Sequence, residues 1–207
     1  MAHKKTKPLS ADKRSRILKA AGQMFMAEGY NAVSMEAIAE AAPVSKPTLY
    51  NHFDDKKALF AAVMQQRCQE VFQKFEQSLQ GDKSVEDALT QMGQLFLGVV
   101  LKEEALCIYR IALTEAQTFP ELGKTFYANG PLRSRAVLAD YLTRMTEKGV
   151  LEIKDADLAA NVFLGMLTAR FQMPLLMGHR KDVPQREIND SVRQIVDIFL
   201  RGVQRKA

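Results

Sequence analysis

Residues 34–53, with the sequence SMEAIAEAAPVSKPTLYNHF, decide the fold. Ser34 is a favoured helix N-cap, and the apolar residues that follow it recur with helical spacing. Pro43 blocks continuation of this short helix. Ser45 can cap a second short helix with Pro47 in its first turn, where the missing N–H of proline is tolerated. Two short helices joined by a tight turn predict a helix-turn-helix.

The second short helix carries polar groups at the end that a helix-turn-helix inserts into the DNA major groove. Leu49 and Phe53 are spaced to face inward. The outward candidates are Lys46, Thr48, Tyr50 and His52. An ordinary corner between two helices is the more common structure for such a pattern, but the basic helix that precedes it favours DNA binding.

Charge is distributed unevenly along the 207 residues. The net charge is +5, yet residues 1–20 alone carry +6 and the rest of the chain −1. A basic terminus is either a solvated tail or an arm that binds a polyanion by releasing counterions, and charge alone favours neither. With 47% hydrophobic and 26% charged residues, the chain is not a disordered polyelectrolyte.

No uncharged apolar run reaches the roughly 18 residues of a membrane span, and no apolar segment follows the basic start as in a signal peptide. We therefore expect an intracellular, cytoplasmic protein. Cys68 and Cys107 both lie in apolar segments and are expected to be buried thiols.

Helical periodicity continues through the whole chain and predicts an all-α protein. Ser10 is the expected N-cap of the first helix, and a long fourth helix is expected over residues 55–79. Helix breaks are expected at residues 81–83, 129–131 and 149. The next helix should run from Asp155 towards Gly178 with a kink at Pro174.

Residues 32–53, followed by Lys56, Leu59 and Phe60, resemble the DNA-binding domain of TetR-family transcriptional regulators. That family has the pattern T-x-x-x-I-A-x-x-A-G-V-S-x-G-x-L-Y-x-[HY]-F-x-x-K-x-x-L, and the similarity covers about residues 13–60. Pro43 and Pro47 stand where the family usually has glycine. Pro43 should fix φ near −65° and so exclude a left-handed turn.

The resemblance implies a basic arm over residues 1–10, a helix-turn-helix domain over 11–56 and a helical effector-binding and dimerisation domain over 57–207. The second part is similar to the AefR-like type. The implied function is a homodimeric repressor that binds near-palindromic double-stranded operator DNA and is released by a small, mostly apolar or amphipathic effector. No cofactor and no metal are expected.

The same resemblance assigns roles to individual residues. Phosphate contacts are implied for Ser34, Lys46, Tyr50, His52 and Lys56. Base-edge contacts are implied for Thr48, Lys46 and Asn51, and Ser45 and Pro47 complete the first turn of the recognition helix.

The last two long helices are apolar on more faces than one core requires, which predicts a dimer seam between two copies. A monomeric core helix is the alternative. The predicted interface consists of Leu158, Val162, Gly165, Ala169, Ile188, Val192, Ile195, Val196 and Phe199.

A ligand pocket is predicted from aromatic and methionine side chains with a few polar groups among them. The alternative is a filled core in which Arg110 and Glu115 pair. The predicted pocket residues are Met92, Phe96, Tyr109, Arg110, Glu115, Phe126, Phe163, Met166, Leu167 and Phe171.

Motifs of enzymes do not appear in the sequence: it has no G-x-G-x-x-G, no complete P-loop, no G-x-S-x-G and no H-E-x-x-H. The three histidines stand far apart. Two alternatives to a ligand-responsive repressor remain, a helical dimer that binds DNA constitutively and a helical small-molecule-binding protein or enzyme.

Overall fold

The computed structural model describes residues 9–81 and 83–203, and these residues form helices and connecting turns without a β-strand. The prediction of an all-α protein is confirmed. Residues 1–8 of the predicted basic arm, and the side chain of Cys68, lie outside the description. The helices are α1 (Leu9–Glu28), α2 (Met35–Ala41), α3 (Lys46–His52), α4 (Lys56–Ser78), α5 (Val85–Val100), α6 (Glu103–Glu115), α7 (Pro120–Tyr127), α8 (Arg133–Glu147), α9 (Ala156–Ala169), α10 (Gln172–Leu176) and α11 (Gln185–Val203).

Two compact units divide the chain. Among the described residues, unit 1 comprises those up to Arg67 together with Ile111–Phe126, and unit 2 comprises those from Cys68 to Arg110 and from Tyr127 onward. α4 contributes residues to both units, and the domain boundary after residue 56 stays a prediction. Among the described residues, no helix is long and apolar enough to span a bilayer.

Local capping explains where several helices begin. Four N-cap side chains each accept a hydrogen bond from a backbone N–H in the first turn, at distances between 2.9 and 3.3 Å. They are the predicted caps Ser34 and Ser45, together with Ser84 and Asp155. The cap predicted at Ser10 is wrong, because α1 already begins at Leu9.

Two predicted irregularities are resolved differently by the structure. Residues 129–131 do not break the chain: Ala128–Leu132 form a π-helical turn that leads directly into α8. This wider turn accommodates Pro131, which has no N–H to donate. The helix from Asp155 ends at Ala169 instead of kinking at Pro174, which lies inside the separate short helix α10.

The turn between α2 and α3 contradicts the expectation for Pro43, whose φ is +25°. Val44 donates its N–H to the carbonyl of Ala39 at 3.0 Å, which is the six-to-one bond of a Schellman motif. In this motif the residue at position 43 takes a left-handed conformation and donates a second hydrogen bond, for which proline lacks the N–H. The turn therefore keeps the course that glycine favours, and Pro43 is strained.

Replacing Pro43 with glycine is expected to raise the free energy of unfolding by about 1 kcal/mol. Relief of strain contributes roughly 1–3 kcal/mol, and the greater entropy of glycine in the unfolded chain offsets about 1 kcal/mol of it. Urea unfolding of Pro43→Gly and of Pro47→Gly provides the comparison. Pro47 lies in the first turn of α3, so Pro47→Gly should destabilise; a loss of stability in both variants would refute the assignment of strain to Pro43.

The core of unit 2 is built where α9 packs against α5, α8, α10 and α11, while α11 also packs on α5. Gly93 permits the close approach of α5 and α11. A Cβ atom there would lie 2.9 Å from a methyl group of Val192 and 3.3 Å from one of Leu167.

Replacing Gly93 with alanine is expected to lower the free energy of unfolding by about 1 kcal/mol, since overpacking exceeds the gain in helix propensity. Gly98 on the same helix is the matched control, because a Cβ atom there would meet nothing within 4 Å. Gly98→Ala should leave stability unchanged or raise it. Equal thermal shifts in the two variants would contradict this packing argument.

Candidate nucleic-acid interface

The helix-turn-helix is held by apolar contacts within unit 1. α1 packs against α2, and α2 packs against α3. Leu49 and Phe53 are buried, as predicted, together with Ile38 from α2. Because this side of α3 is fixed to the core, its opposite side is turned outward.

The outward side of α3 brings together the residues that sequence reasoning selected. Tyr50 is 44% exposed, Lys46, Pro47 and Asn51 are exposed, and Thr48 and His52 are half-buried. Ser34 and Ser45 are also exposed, at the N-termini of α2 and α3. The arrangement presents hydroxyl, amide, imidazole and ammonium groups on one short helix and its neighbouring cap.

Thr48 is fixed by the cap that precedes it. The Oγ atom of Ser45 accepts a hydrogen bond from the Thr48 N–H at 3.3 Å, and the two hydroxyl oxygens lie 2.8 Å apart. The Thr48 side chain is therefore oriented before any ligand arrives. Such preorganisation reduces the entropy lost on binding.

Two charged groups near α3 were not selected from the sequence. Glu36 in the first turn of α2 lies 3.4 Å from the Lys46 ammonium. The guanidinium of Arg14 lies 5.4 Å from the centre of the Phe53 ring, which brings a cation from α1 to the end of α3. Neither the Glu36–Lys46 contact nor the Arg14–Phe53 contact has a helical i, i+4 spacing. The three-dimensional structure was therefore needed to find them.

Lys56, which was predicted to contact phosphate, is directed at backbone carbonyl oxygens in this structure. Its Nζ atom donates to the carbonyl oxygens of Tyr30 at 2.9 Å, Asn31 at 3.4 Å and Val33 at 2.9 Å, and lies 4.5 Å from the centre of the Tyr30 ring. Burial lowers the pKa of Lys56, and the carboxylate of Glu115 opposes this shift. Lys56 therefore holds the turn between α1 and α2.

That same turn contacts the end of α6 inside unit 1. The Asn31 amide donates to both carboxylate oxygens of Glu115, at 2.8 and 2.7 Å. The rings of Tyr30 and Phe119 meet edge to face, with centres 5.7 Å apart. Burial, with Asp55 and Glu115 nearby, raises the pKa of Tyr30 to about 12.

The filled-core alternative paired Glu115 with Arg110, but the partner found for Glu115 is Asn31. Arg110 donates instead to Glu103 at 2.8 Å, which lowers the pKa of that carboxyl group. Glu115 and Phe126 belong to unit 1, while the other predicted pocket residues belong to unit 2.

The predicted pocket residues of unit 2 differ in burial. Tyr109, Arg110 and Met166 are half-buried. The remaining five are buried in one hydrophobic cluster: Met92, Phe96, Phe163, Leu167 and Phe171.

The predicted dimer residues divide into two groups. Leu158, Val162, Gly165 and Ala169 lie exposed on one face of α9, as an interface requires. Ile195 is half-buried.

The second group contradicts the prediction, because its members face the core of their own unit. They are Ile188, Val192, Val196 and Phe199. The apolar stripe of α11 is directed at α5 and α9, and its outward side instead exposes Ile198, which is 59% accessible and was missed.

Two family comparisons agree with this architecture. Residues 17–63 match the family described as bacterial regulatory proteins, tetR family, and residues 87–202 match the AefR-like transcriptional repressor, C-terminal domain. The fold and its outward recognition helix thus define a helix-turn-helix transcriptional regulator. The chain belongs to the TetR family of DNA-binding transcriptional regulators and is not an enzyme.

A bacterial relative is similar over nearly the whole chain. It is 29% identical over 192 residues to the HTH-type transcriptional regulator YvkB of Bacillus subtilis strain 168, which covers 91% of this chain and 95% of that protein.

Two solved structures are similar throughout. A TetR-family regulator from Mesorhizobium loti is 29% identical, with a TM-score of 0.88, covering 96% of this chain and 100% of the other. The flavonoid-responsive regulator FrrA is 30% identical, with a TM-score of 0.80, covering 95% and 100%.

Proposed function

We propose that this protein is a cytoplasmic homodimeric repressor that binds a near-palindromic operator and leaves it when a small, mostly apolar ligand binds. The proposal of DNA binding rests on the outward side of α3, because six predicted contact residues lie on this one short helix. Phosphate contacts position such a helix, and contacts to base edges specify the sequence.

We assign base-edge contacts to Lys46, Thr48 and Asn51. Phosphate contacts are assigned to Ser34, Tyr50 and His52, and Arg14 replaces Lys56 in this group. Thr48 is oriented by Ser45 at 2.8 Å, which suits a residue that must discriminate between bases.

Dimerisation is proposed through the exposed face of α9. Leu158 is 57% and Val162 47% exposed, and Gly165 has open space around its Cα, so a partner helix can approach closely. Closed two-fold dimers are the most common homo-oligomers. Two recognition helices related in this way read half-sites about 10 base pairs, or a small multiple, apart.

The ligand is proposed to bind within unit 2 near the aromatic cluster. Ring centres there lie 5.9 Å apart for Phe75 and Phe96, and 5.0 Å apart for Phe163 and Phe199. Met92 in the same cluster has a flexible side chain that can repack around an apolar guest. The similar regulator FrrA is named as flavonoid-responsive, which supports an aromatic ligand.

Release from DNA requires that the ligand bind the DNA-incompetent state more tightly than the competent state. α4 is proposed to transmit the change, because it contributes residues to both units. A constitutive DNA-binding dimer without an effector is the second candidate, favoured by the complete burial of Met92, Phe163 and Leu167 in a packed core.

Selection of genomic DNA fragments by the purified protein tests DNA binding and returns the operator. We expect a near-palindrome whose binding weakens steeply with salt. Thr48→Ala should relax the sequence preference of the selected fragments. Recovery of random fragments by the wild-type protein would refute sequence-specific recognition.

Flavonoids and other neutral aromatic compounds then test the effector on the operator complex. A ligand should raise the thermal midpoint and release the DNA. Phe96→Leu should weaken this response and leave ligand-free DNA affinity unchanged, while Phe72→Leu, the same truncation in the same hydrophobic cluster but outside the predicted pocket, serves as control. If no compound acts in either assay, the constitutive dimer becomes the better description.

A further inference from the structure

Among the described residues, one ion pair joins an acidic side chain to α3, the helix proposed to contact the bases. That acidic side chain is Glu36. Its Oε1 atom lies 3.4 Å from the Nζ atom of Lys46, and both side chains remain about half exposed. Lys46 is the first residue of α3, so the pair lies at the end of the helix that enters the major groove.

Fold stability does not account for this pair. Ion pairs between exposed side chains contribute little to the free energy of unfolding, and α2 already has its N-cap in Ser34. A hydrogen bond from the backbone of Glu36, followed by the charge and hydrogen bond of Lys46, lowers the pKa of the carboxyl group. The carboxylate thus stays charged beside a surface that must approach polyanionic DNA.

A carboxylate in this position has opposite effects on random DNA and on an operator. On random DNA it neutralises the Lys46 ammonium and repels phosphates, so one cation contributes less to non-specific binding. At a G·C base pair the same two groups are complementary to the major groove, where lysine donates to guanine O6 and N7 and a carboxylate accepts from cytosine N4.

We propose that Glu36 is a specificity-determining residue, which withholds Lys46 from phosphates and directs the Glu36–Lys46 pair to a G·C base pair in each half-site. The inference rests on the proposed DNA binding through α3. Glu36 adds a base-edge contact from α2 to base-edge contacts that otherwise come from α3 alone. Specificity then depends on repulsion of the wrong DNA as well as on attraction to the correct one.

The test compares wild type, Glu36→Gln and Glu40→Gln by titration of the selected operator and of a random duplex over a range of salt concentrations. Glu40 is an exposed acid on the same helix, so its variant makes the same change in net charge. Glu36→Gln should tighten binding to the random duplex, steepen its log–log salt slope by about one unit, and lower the ratio of operator to random affinity by about tenfold. Glu40→Gln should change both affinities alike and keep the ratio.

A second arm removes the partner. In a Lys46→Met background, Glu36→Gln should no longer steepen the salt slope, because no ammonium is released. All variants should unfold at the wild-type temperature, which separates specificity from folding. Equal behaviour of Glu36→Gln and Glu40→Gln on both duplexes would overturn the inference and leave DNA binding intact. Failure of the wild-type protein to bind either duplex would overturn the proposed function and the inference with it.

Discussion

Replacing Val162 with lysine is expected to convert the proposed dimer into monomers and to weaken operator binding by about 100-fold or more. Val162 lies on the exposed face of α9 between Leu158 and Gly165. Closure of a two-fold interface over this face would bury two unpaired ammonium groups, at a cost of several kcal/mol. In a dimer, binding of one subunit to its half-site raises the effective concentration of the other subunit at the second half-site. This linkage strengthens overall binding by about 10²- to 10⁴-fold, and monomers lose it.

Sedimentation and operator titration measure the two effects on the same protein. Thr143→Lys places the same charge on an exposed position of α8 and should leave mass and affinity unchanged. A charged residue at Phe199 would not serve this purpose, because Phe199 is buried in the core of its own unit and its replacement would unfold that unit. A wild-type protein that sediments as a single chain would refute the interface.

The start of each short helix could be predicted from sequence because capping is local. Ser34 and Ser45 are each followed, three residues later, by the N–H that their side chains accept from. Likewise, the inward positions of Leu49 and Phe53 follow from helical periodicity alone. The fold class and the polar side of α3 therefore needed no tertiary information.

The apolar face proposed for dimerisation was only half predictable, since spacing gives the apolar side of a helix but not what covers it. Phe199 and Ile198 are adjacent in sequence and apolar alike, yet one packs on Phe163 at 5.0 Å and the other is exposed. The contact from Asn31 to Glu115 was unpredictable for another reason, because 84 positions separate the two residues. Long-range polar pairs leave no periodic signal.

Pro43 shows the opposite error, in which a sound local rule gave the wrong conformation. Proline restrains φ to about −65°, but the Schellman geometry between Ala39 and Val44 imposes +25°. The packing of α2 against α3 therefore prevails over the preference of one residue.

Replacing Lys56 with methionine is expected to lower the free energy of unfolding by about 2 kcal/mol. Methionine keeps an unbranched apolar side chain but cannot donate to the three carbonyl oxygens that Lys56 Nζ contacts, and the cation–π contact with Tyr30 at 4.5 Å is also lost. Hydrogen bonds from charged donors each contribute roughly 1.5–3 kcal/mol, and water replaces part of that loss at a half-buried site. Urea unfolding followed by circular dichroism measures the change.

The neighbouring Lys57 supplies the control for charge, because it is exposed and its Nζ atom lies 5.8 Å from the Phe119 ring centre. Lys57→Met should therefore change stability by less than about 0.5 kcal/mol.

Salt titration on DNA separates the two roles that Lys56 could have. If Lys56 contacts phosphate, its removal should reduce the salt slope by about one unit and leave stability unchanged. If Lys56 instead holds the turn between α1 and α2, its removal should lower stability and leave the salt slope of the folded protein unchanged. Since the Lys56 ammonium is directed at the carbonyl oxygens of Tyr30 and Val33, the second result is expected, and the first would restore Lys56 to the DNA contacts.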